Sequence, residues 1–210
     1  MIRVLVADDH AIVRRGLVQI ISETMDIEVA DQASSADEVY TLVRRSTYDV
    51  LVLDLNLGEA SGLEVLKQLK LELPALPVLI LSVYPENQFA VRTLRAGAAG
   101  YLNKDSAPEQ LVQAIRRVAD NKRYVSPAVA EELLFQLDAD TDGPLHETLS
   151  DREFQVMRQL ASGRTVSAIA ESLSLSVKTV STYRARVLEK MNMKSNAELT
   201  HYAIKNDLIL

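Results

Sequence analysis

The sequence predicts an α/β fold, a doubly wound parallel sheet of five strands, followed by a smaller all-α domain of four short helices. Two observations predict it. Over residues 1–121, five short apolar runs alternate with five segments of helical periodicity, which is typical of right-handed βαβ crossovers and of a sheet covered on both faces. From residue 149 onwards the strand pattern disappears and only helical periodicity remains.

The first predicted strand is a short, nearly continuous apolar run rich in β-branched residues, the pattern of a strand that is buried on both faces, and four further short runs are also predicted as strands. The runs are IRVLVA (2–7), IEVADQAS (27–34), DVLVLD (49–54), PVLILS (77–82) and AGYL (99–102). Because a helix-length segment separates each run from the next, we expect the strands to lie parallel.

The segments between the strands repeat apolar residues at the spacing of an amphipathic helix. Ser34 or Ser35 is available to cap the second helix, Gly97 suits the C-terminal end of the fourth, and Pro108 suits the first turn of the fifth. The predicted helices are 11–23, 36–45, 62–72, 86–97 and 108–120.

The domain boundary is predicted between the fifth of these helices and residue 149. The segment 122–148 contains one further predicted helix, 126–137, and then an acidic stretch rich in helix breakers, 138–148, which is typical of a flexible linker. The C-terminal domain, 149–210, is predicted to contain four helices. These are 150–162, 166–173, 177–192 and 196–207.

Composition narrows the class of protein. The 210 residues contain no cysteine, which excludes disulfides and thiolate metal sites. No apolar run is long enough to span a membrane and the N-terminus lacks a signal-peptide pattern, so we expect a cytoplasmic protein without a membrane partner. Residues 149–210 carry nine Lys/Arg against six Asp/Glu, a net charge of +3, whereas residues 1–148 carry −9. This difference in net charge suggests that the two parts of the chain have separate functions.

Polar residues follow the predicted strands at one edge of the sheet. Asp8 and Asp9 follow the first strand, Asp54 ends the third, Ser82 ends the fourth, and Lys104 follows the fifth. Each residue alone is more typical of a polar strand end at a wet surface, but together they favour a site, because open α/β sheets bind ligands at this edge. Grouped carboxylates need a cation, and oxygen ligands suit Mg²⁺. One carboxylate is then a candidate nucleophile towards phosphorus.

The segments VLVADDH, DVLVLDLNLGEASGLEVL, VLILS and GAAGYLNK resemble the receiver domain of bacterial two-component response regulators. The resemblance covers residues 1–121 and implies a flavodoxin-like fold. It also implies a role for each matching residue: Asp54 as the phospho-acceptor, Asp8 and Asp9 as the acidic pair with Asp9 the more direct metal ligand, the backbone carbonyl of Asn56 as a third contact to Mg²⁺, Ser82 as the switch hydroxyl, Lys104 as the phosphate-sensing lysine, and Tyr101 as the rotating aromatic.

At Gly58 the chain departs from the family pattern, and at Tyr101 the role that the resemblance implies has an alternative. The family usually has proline four residues after the phospho-acceptor, where this chain has Gly58. Glycine loosens the backbone that proline would fix, so we expect a more mobile loop with no ligand lost. Tyr101 has an alternative interpretation, since an aromatic residue on a short last strand is often a plain packing residue.

The C-terminal half reads as helix, tight turn, helix within TVSAIAESLSLSVKTVSTYRARVLEKM. Ser150 and Glu153 predict a capping box before it. The apolar residues Val177, Val180, Val187, Leu188 and Met191 are predicted to face inwards from the second helix of the pair. Short hydroxylic side chains and cations on its outer face suit the major groove of DNA, although a solvated helix face has a similar composition. The candidate DNA contacts are Lys178, Thr179, Ser181, Thr182, Arg184, Arg186 and Lys190.

This segment is similar to the LuxR-type helix-turn-helix domain of NarL/FixJ-class regulators over nearly all of 149–210. The resemblance implies that 177–192 is the recognition helix. Many relatives have a basic residue where this chain has Ser181, which shifts the expected base contacts to Thr182, Arg184 or Arg186. The last helix, with Leu199, is either core or a dimer surface.

Together the two resemblances imply a transcription regulator and no enzyme. A sensor histidine kinase would phosphorylate Asp54 with Mg²⁺, and the receiver would then control dimerisation and binding to double-stranded promoter DNA. Two alternatives stay open. The first is an orphan regulator whose receiver is never phosphorylated. The second is an aspartate-nucleophile phosphatase, which is disfavoured because Asn56 stands where such enzymes need a second acid.

Overall fold

The computed structural model describes residues 1–58, 60–84, 86–127, 129–131, 144–206 and 208–209. The chain divides into two compact units, Met1–Ala139 and Asp140–Leu210. Residues 127 and 129–131 are helical, as predicted for the start of the 126–137 helix. The remainder of that helix and the first half of the predicted linker lie outside the described residues. No helix among the described residues is both long and apolar enough to cross a membrane.

The first unit is built on a sheet of five parallel strands, which confirms the predicted α/β fold. The strands lie in the order β2-β1-β3-β6-β7. Reversal of the winding direction after β2 leaves a crevice beyond the carboxyl ends of β1 and β3, the usual place for a ligand in such sheets. The strands are β1 (Ile2–Ala7), β2 (Ile27–Ala33), β3 (Val50–Asp54), β6 (Val78–Ser82) and β7 (Gly100–Asn103).

Five helices cover this sheet, and their limits agree with the predicted ones within two residues. On one face, Leu17 and Ile21 of α1 and Ile115 of α5 pack against strand residues such as Val4 and Val52. Burial of these side chains, each contributing about 1.5–3 kcal/mol, holds the strand ends in fixed relative positions. The helices are α1 (Ala11–Ser22), α2 (Ala36–Arg45), α3 (Gly62–Glu72), α4 (Glu86–Arg95) and α5 (Pro108–Ala119).

A small hairpin that the sequence did not predict lies between β3 and α3. Its strands are β4 (Asn56–Leu57) and β5 (Ala60–Ser61), which pair antiparallel with two residues in the turn. Such a turn needs positive φ at its first residue, and Gly58 has φ +63°. At the end of the hairpin, a side chain at Gly62 would collide with the carbonyl oxygen of Asp54. Glycines at both positions therefore let the chain turn tightly beside Asp54.

The second unit contains four α-helices in its described residues, and each predicted helix is confirmed within two residues. Each begins with a serine or threonine whose side chain accepts a backbone N–H, and Ser150 forms the predicted capping box with Glu153. Val180 and Val187 are buried as predicted, but Val177 is 51% exposed, so its predicted inward position is wrong. The helices are α6 (Asp151–Ala161), α7 (Val166–Ser172), α8 (Val177–Lys190) and α9 (Asn196–Lys205).

Two described parts of the predicted segment 122–148 make contacts with the rest of their own unit. Tyr124 pairs with the sheet edge, since its N–H donates to the carbonyl of Ala99 at 3.0 Å. Leu145–Thr148 form a 3₁₀ helix, in which the ring of His146 lies 3.0 Å from the hydroxyl of Tyr202. Residues 145–148 thus belong to the second unit and form regular structure there, which contradicts the predicted flexible linker at these four positions.

Candidate functional site

The predicted pocket residues meet at the carboxyl edge of the sheet. Asp8 directly follows β1, Asp54 ends β3, and Ser82 ends β6. In the strand register Asp54 lies opposite Leu81, one residue before Ser82, and Ser82 is paired with Asn103, the residue before Lys104. The backbone N–H of Lys104 donates to the carbonyl of Ser82 at 2.8 Å. Parallel pairing thus places all four residues at one end of the sheet.

Lys104 bridges two buried carboxylates. Its Nζ lies 2.6 Å from Oδ2 of Asp8 and 2.7 Å from Oδ2 of Asp54. The two carboxyl side chains are only 2% exposed, and that of Lys104 is 10% exposed. Charges buried this deeply are tolerated only when they are paired. One ammonium nevertheless has to offset two carboxylates, which leaves the pocket with excess negative charge.

The pKa values of the pair follow from this imbalance. Burial raises the pKa of Asp54 to about 6, against the opposing effect of Lys104 and with a further increase from Asp8. Burial by itself would lower the pKa of Lys104, but the attraction of Asp54 and Asp8 outweighs it and the pKa of Lys104 is raised. A single cation between two anions stays firmly charged, while one of the anions remains incompletely neutralised.

Asp9 lies against the loop after β3 and against the ring of His10. The backbone N–H of Gly58 donates to Asp9 Oδ2 at 3.1 Å, and Nδ1 of His10 lies 2.6 Å from Asp9 Oδ1. A proline at position 58 has no N–H to donate and cannot adopt φ +63°. The departure at Gly58 therefore ties the loop after β3 to the acidic pair, and the mobility expected of this loop is offset by that hydrogen bond.

The pocket fits a divalent cation. Ligand atoms of Asp8, Asp9, His10 and Asp54 lie within 4.8 Å of one another. Asp54 Oδ1 is buried without a hydrogen-bond partner among the described residues, and an unsatisfied carboxylate oxygen is costly unless something binds it. Against the effect of burial, the backbone N–H of Asn56 lowers the pKa of Asp54 slightly. The predicted role of the Asn56 carbonyl as a metal ligand stays a prediction.

Ser82 and Tyr101 lie in the interior beside the pocket. Ser82 is fully buried, and its Oγ accepts the N–H of Tyr84 at 3.2 Å. Tyr101 is 1% exposed, and its hydroxyl donates to the carbonyl of Tyr84 at 2.7 Å. The aromatic ring thus already points inwards in this structure. Asn103, which sequence reasoning missed, donates to the same carbonyl at 3.2 Å.

The predicted recognition helix is α8, and its candidate contacts differ in exposure. Lys178, Ser181, Thr182 and Arg186 are exposed, whereas Thr179 is half-buried. The hydroxyls of the first turns are bonded locally. Ser181 Oγ donates to the carbonyl of Val177 at 2.9 Å and Thr182 Oγ1 to that of Lys178 at 3.0 Å. Lys178 and Arg186 therefore present open cationic groups on this face.

Two other candidate contacts have partners within the second unit. Lys190 Nζ donates to Oε2 of the buried Glu153 at 2.6 Å, and Arg184 Nε donates to Asn196 Oδ1 at 2.8 Å. Both bonds fix α8 against neighbouring helices, which gives these residues a structural role besides any contact with DNA. In α9, Leu199 is fully buried and belongs to the core, whereas Ile204 is 59% exposed.

Comparison with known families agrees with this division of the chain. The family model of the response regulator receiver domain matches residues 4–116, and that of the bacterial regulatory proteins of the luxR family matches residues 147–203. The chain belongs to the response regulators. It is a DNA-binding transcription regulator of the two-component type, with a receiver in its first unit and a LuxR-type helix-turn-helix in its second.

Full-length relatives support the assignment over the whole chain. The response regulator UvrY of Escherichia coli K12 is 35% identical over 209 residues, which are 99% of this chain and 96% of UvrY. The response regulator GacA of Pseudomonas protegens is 37% identical over 210 residues, 100% of this chain and 98% of GacA. RcsB of Salmonella enterica serovar Typhimurium, solved bound to a promoter in the presence of a phosphomimetic, shares the fold with TM-score 0.63 at 24% identity, covering 96% of this chain and 97% of RcsB.

Proposed function

We propose that a sensor histidine kinase transfers a phosphoryl group to Asp54, and that this modification controls binding of the second unit to promoter DNA. The observation that carries the proposal is the state of the Asp54 carboxylate. Its Oδ2 is held by Lys104 at 2.7 Å, while its buried Oδ1 lacks a hydrogen-bond partner among the described residues. One oxygen is thus anchored and the other is available as a nucleophile.

In the proposed transfer, Asp54 Oδ1 attacks the phosphorus atom of a phosphohistidine. The P–N bond breaks as the new P–O bond forms, and the electron pair passes to the imidazole nitrogen, which takes up a proton. Lys104 would move from the carboxylates to the phosphoryl oxygens and offset the charge of −1.5 to −2 that the group brings. A bound Mg²⁺, for which Asp8, Asp9 and Asp54 supply suitable oxygens, would neutralise the remaining charge.

The residues next to Lys104 suggest how the modification reaches the receiver surface. Lys104 follows Asn103, and both Asn103 and Tyr101 donate to the Tyr84 carbonyl in the loop after β6. A shift of Lys104 and Ser82 towards the phosphoryl group would therefore strain or reset this pair of hydrogen bonds. We propose that the altered surface promotes a homodimer, whose two α8 helices then read two half-sites of double-stranded DNA about one helical turn apart.

Labelling tests the phospho-acceptor. The full chain is incubated with acetyl phosphate and MgCl₂, and intact mass is followed for wild type, Asp54→Asn and the exposed control Asp105→Asn. Wild type and the control are expected to gain one phosphoryl group, and Asp54→Asn none. Equal labelling of Asp54→Asn would overturn the assignment.

Binding to sheared genomic DNA, measured with and without prior phosphorylation, tests whether phosphorylation controls DNA binding. Tighter binding and dimer formation after phosphorylation are expected. Unchanged binding would favour the orphan alternative, for which the inward position of Tyr101 is the supporting observation. We also propose that the protein is no enzyme. Sustained turnover of p-nitrophenyl phosphate would instead favour the phosphatase alternative.

A further inference from the structure

A histidine stands among the carboxylates of the pocket. Nδ1 of His10 lies 2.6 Å from Asp9 Oδ1 and 3.5 Å from Asp8 Oδ1, and one of its ring nitrogens is within 4.8 Å of an Asp54 oxygen. The backbone N–H of His10 donates to Asp8 Oδ1 at 2.8 Å, and His10 is the N-cap residue that precedes α1. The ring is 66% exposed and makes no helix cap. Its position is therefore unexplained by packing or capping.

Lys104 and His10 approach different oxygens of the acidic cluster. Lys104 contacts Oδ2 of Asp8 and Oδ2 of Asp54, whereas His10 lies against Oδ1 of Asp8 and of Asp9. Asp54 Oδ1 is buried, and no described residue forms a hydrogen bond to it. The cluster thus offers an ion a set of oxygens and one imidazole nitrogen that the lysine does not occupy.

We propose that this pocket also binds a borderline divalent transition ion of the Co²⁺ or Zn²⁺ class, with His10 Nδ1 as a ligand beside the carboxylates. The proposal rests on the proposed metal pocket and extends its ligand set by one nitrogen. Mg²⁺ is a hard ion that favours oxygen and gains little from imidazole, whereas Co²⁺ and Zn²⁺ bind imidazole well. His10 would therefore decide which metal the pocket prefers.

Ligation requires a defined tautomer of His10. The nitrogen that binds metal must carry no proton, so the ring proton would reside on Nε2, and the Nδ1–Asp9 contact would give way to two bonds to the same ion. High exposure of the ring allows this change without disturbing the core. Removal of the ring should equally leave the fold intact, because the His10 side chain makes no capping hydrogen bond and buries little area.

Calorimetry on the full chain, stripped with EDTA and dialysed, tests the proposal with MgCl₂ and CoCl₂ as separate probes. The variants are His10→Ala and the control His201→Ala, which removes an exposed histidine of α9. We expect His10→Ala to weaken Co²⁺ binding by at least about tenfold and to change Mg²⁺ binding by less than about twofold. The control should match wild type for both ions, and the visible absorption of bound Co²⁺ should change only in His10→Ala.

The outcomes separate the two proposals. Unchanged Co²⁺ affinity and spectrum in His10→Ala, with Mg²⁺ still bound, would overturn the role of His10 and leave the magnesium pocket standing. Equal weakening of both ions would also overturn it, since it would show a general effect on the acidic pair. Absence of Mg²⁺ binding in wild type would instead count against the pocket itself.

Discussion

The acidic pocket of the receiver and the predicted recognition helix, α8, both carry charged side chains, but these side chains lie in opposite environments. Asp8, Asp54 and Lys104 come from three different strand ends and are almost completely buried. Lys178 and Arg186 lie on one helix and are exposed. Buried charges interact strongly and are costly when unpaired, whereas exposed charges are screened by water and salt.

This difference means that the same substitution has different consequences in the two places. In the pocket, the loss of one charge leaves its partners unpaired in the interior, so the free energy of unfolding should change. On the open face of α8, Lys178 and Arg186 have exposed side chains, so the loss of one charge there should change binding to DNA while the fold does not change.

Replacement of lysine by methionine at two positions is the sharpest test. Lys104→Met leaves Asp8 and Asp54 without their cation, and we expect a loss of about 3 kcal/mol in the free energy of unfolding, measured by urea titration in EDTA. Lys178→Met is the matched control, with a change below about 0.5 kcal/mol because its side chain is exposed. Equal effects of the two substitutions would contradict the contrast. Excess Mg²⁺ should restore part of the loss in Lys104→Met.

The raised pKa of Asp54 predicts a dependence of stability on pH. The pKa is about 6 in the folded protein, against 3.8 for an ordinary aspartate. Between these pH values the unfolded chain has released the proton that the folded chain retains. The contribution of Asp54 to the free energy of unfolding therefore falls as pH rises from 4 to 6 and is constant above pH 6. In EDTA the difference between wild type and Asp54→Asn should therefore change by about 2–3 kcal/mol over this range. A difference that does not change with pH would show that Lys104 fully offsets the effect of burial on the pKa of Asp54.

The ion pair of Glu153 and Lys190 in the second unit is intermediate between the buried pocket and the exposed face of α8. Glu153 is buried and also closes the capping box of α6, so Glu153→Gln should cost about 1–2 kcal/mol in thermal unfolding. Lys190 is 41% exposed, and Lys190→Met should cost less than Glu153→Gln. If Lys190 is mainly a contact to DNA, its substitution should instead weaken DNA binding and leave the melting temperature unchanged.

The smallest effects on stability are expected on the open face of α8. Lys178→Met and Arg186→Met should each weaken binding to DNA and lower the slope of log affinity against log salt by about one. The control Lys205→Met removes an exposed cation at the end of α9 and should leave the slope unchanged. Fluorescence anisotropy at several salt concentrations measures all three. An unchanged slope in both α8 variants would show that this face does not contact phosphates.

Local patterns in the sequence were enough to predict the elements and their order. The five strands and nine of the helices lie within two residues of the predicted limits, because apolar periodicity, caps and breakers act over a few neighbouring residues. The position of the pocket in the fold was also predictable, since parallel strands bring their carboxyl ends to the same edge of the sheet. The hydrogen bond from Gly58 to Asp9 and the packing of His146 on Tyr202 were missed, because each joins residues that lie about 50 positions apart in the chain.

The sequence by itself determined the fold class, the two-part organisation and the types of residue at the pocket and on α8. Only the tertiary structure decided which of these residues pair. It placed Lys104 between two carboxylates, His10 against the acidic pair, Tyr101 in the interior and Lys190 on Glu153. The sequence specifies the type of each residue, but the burial and the partners of that residue depend on how distant segments pack. Burial in turn sets the strength of each charge interaction.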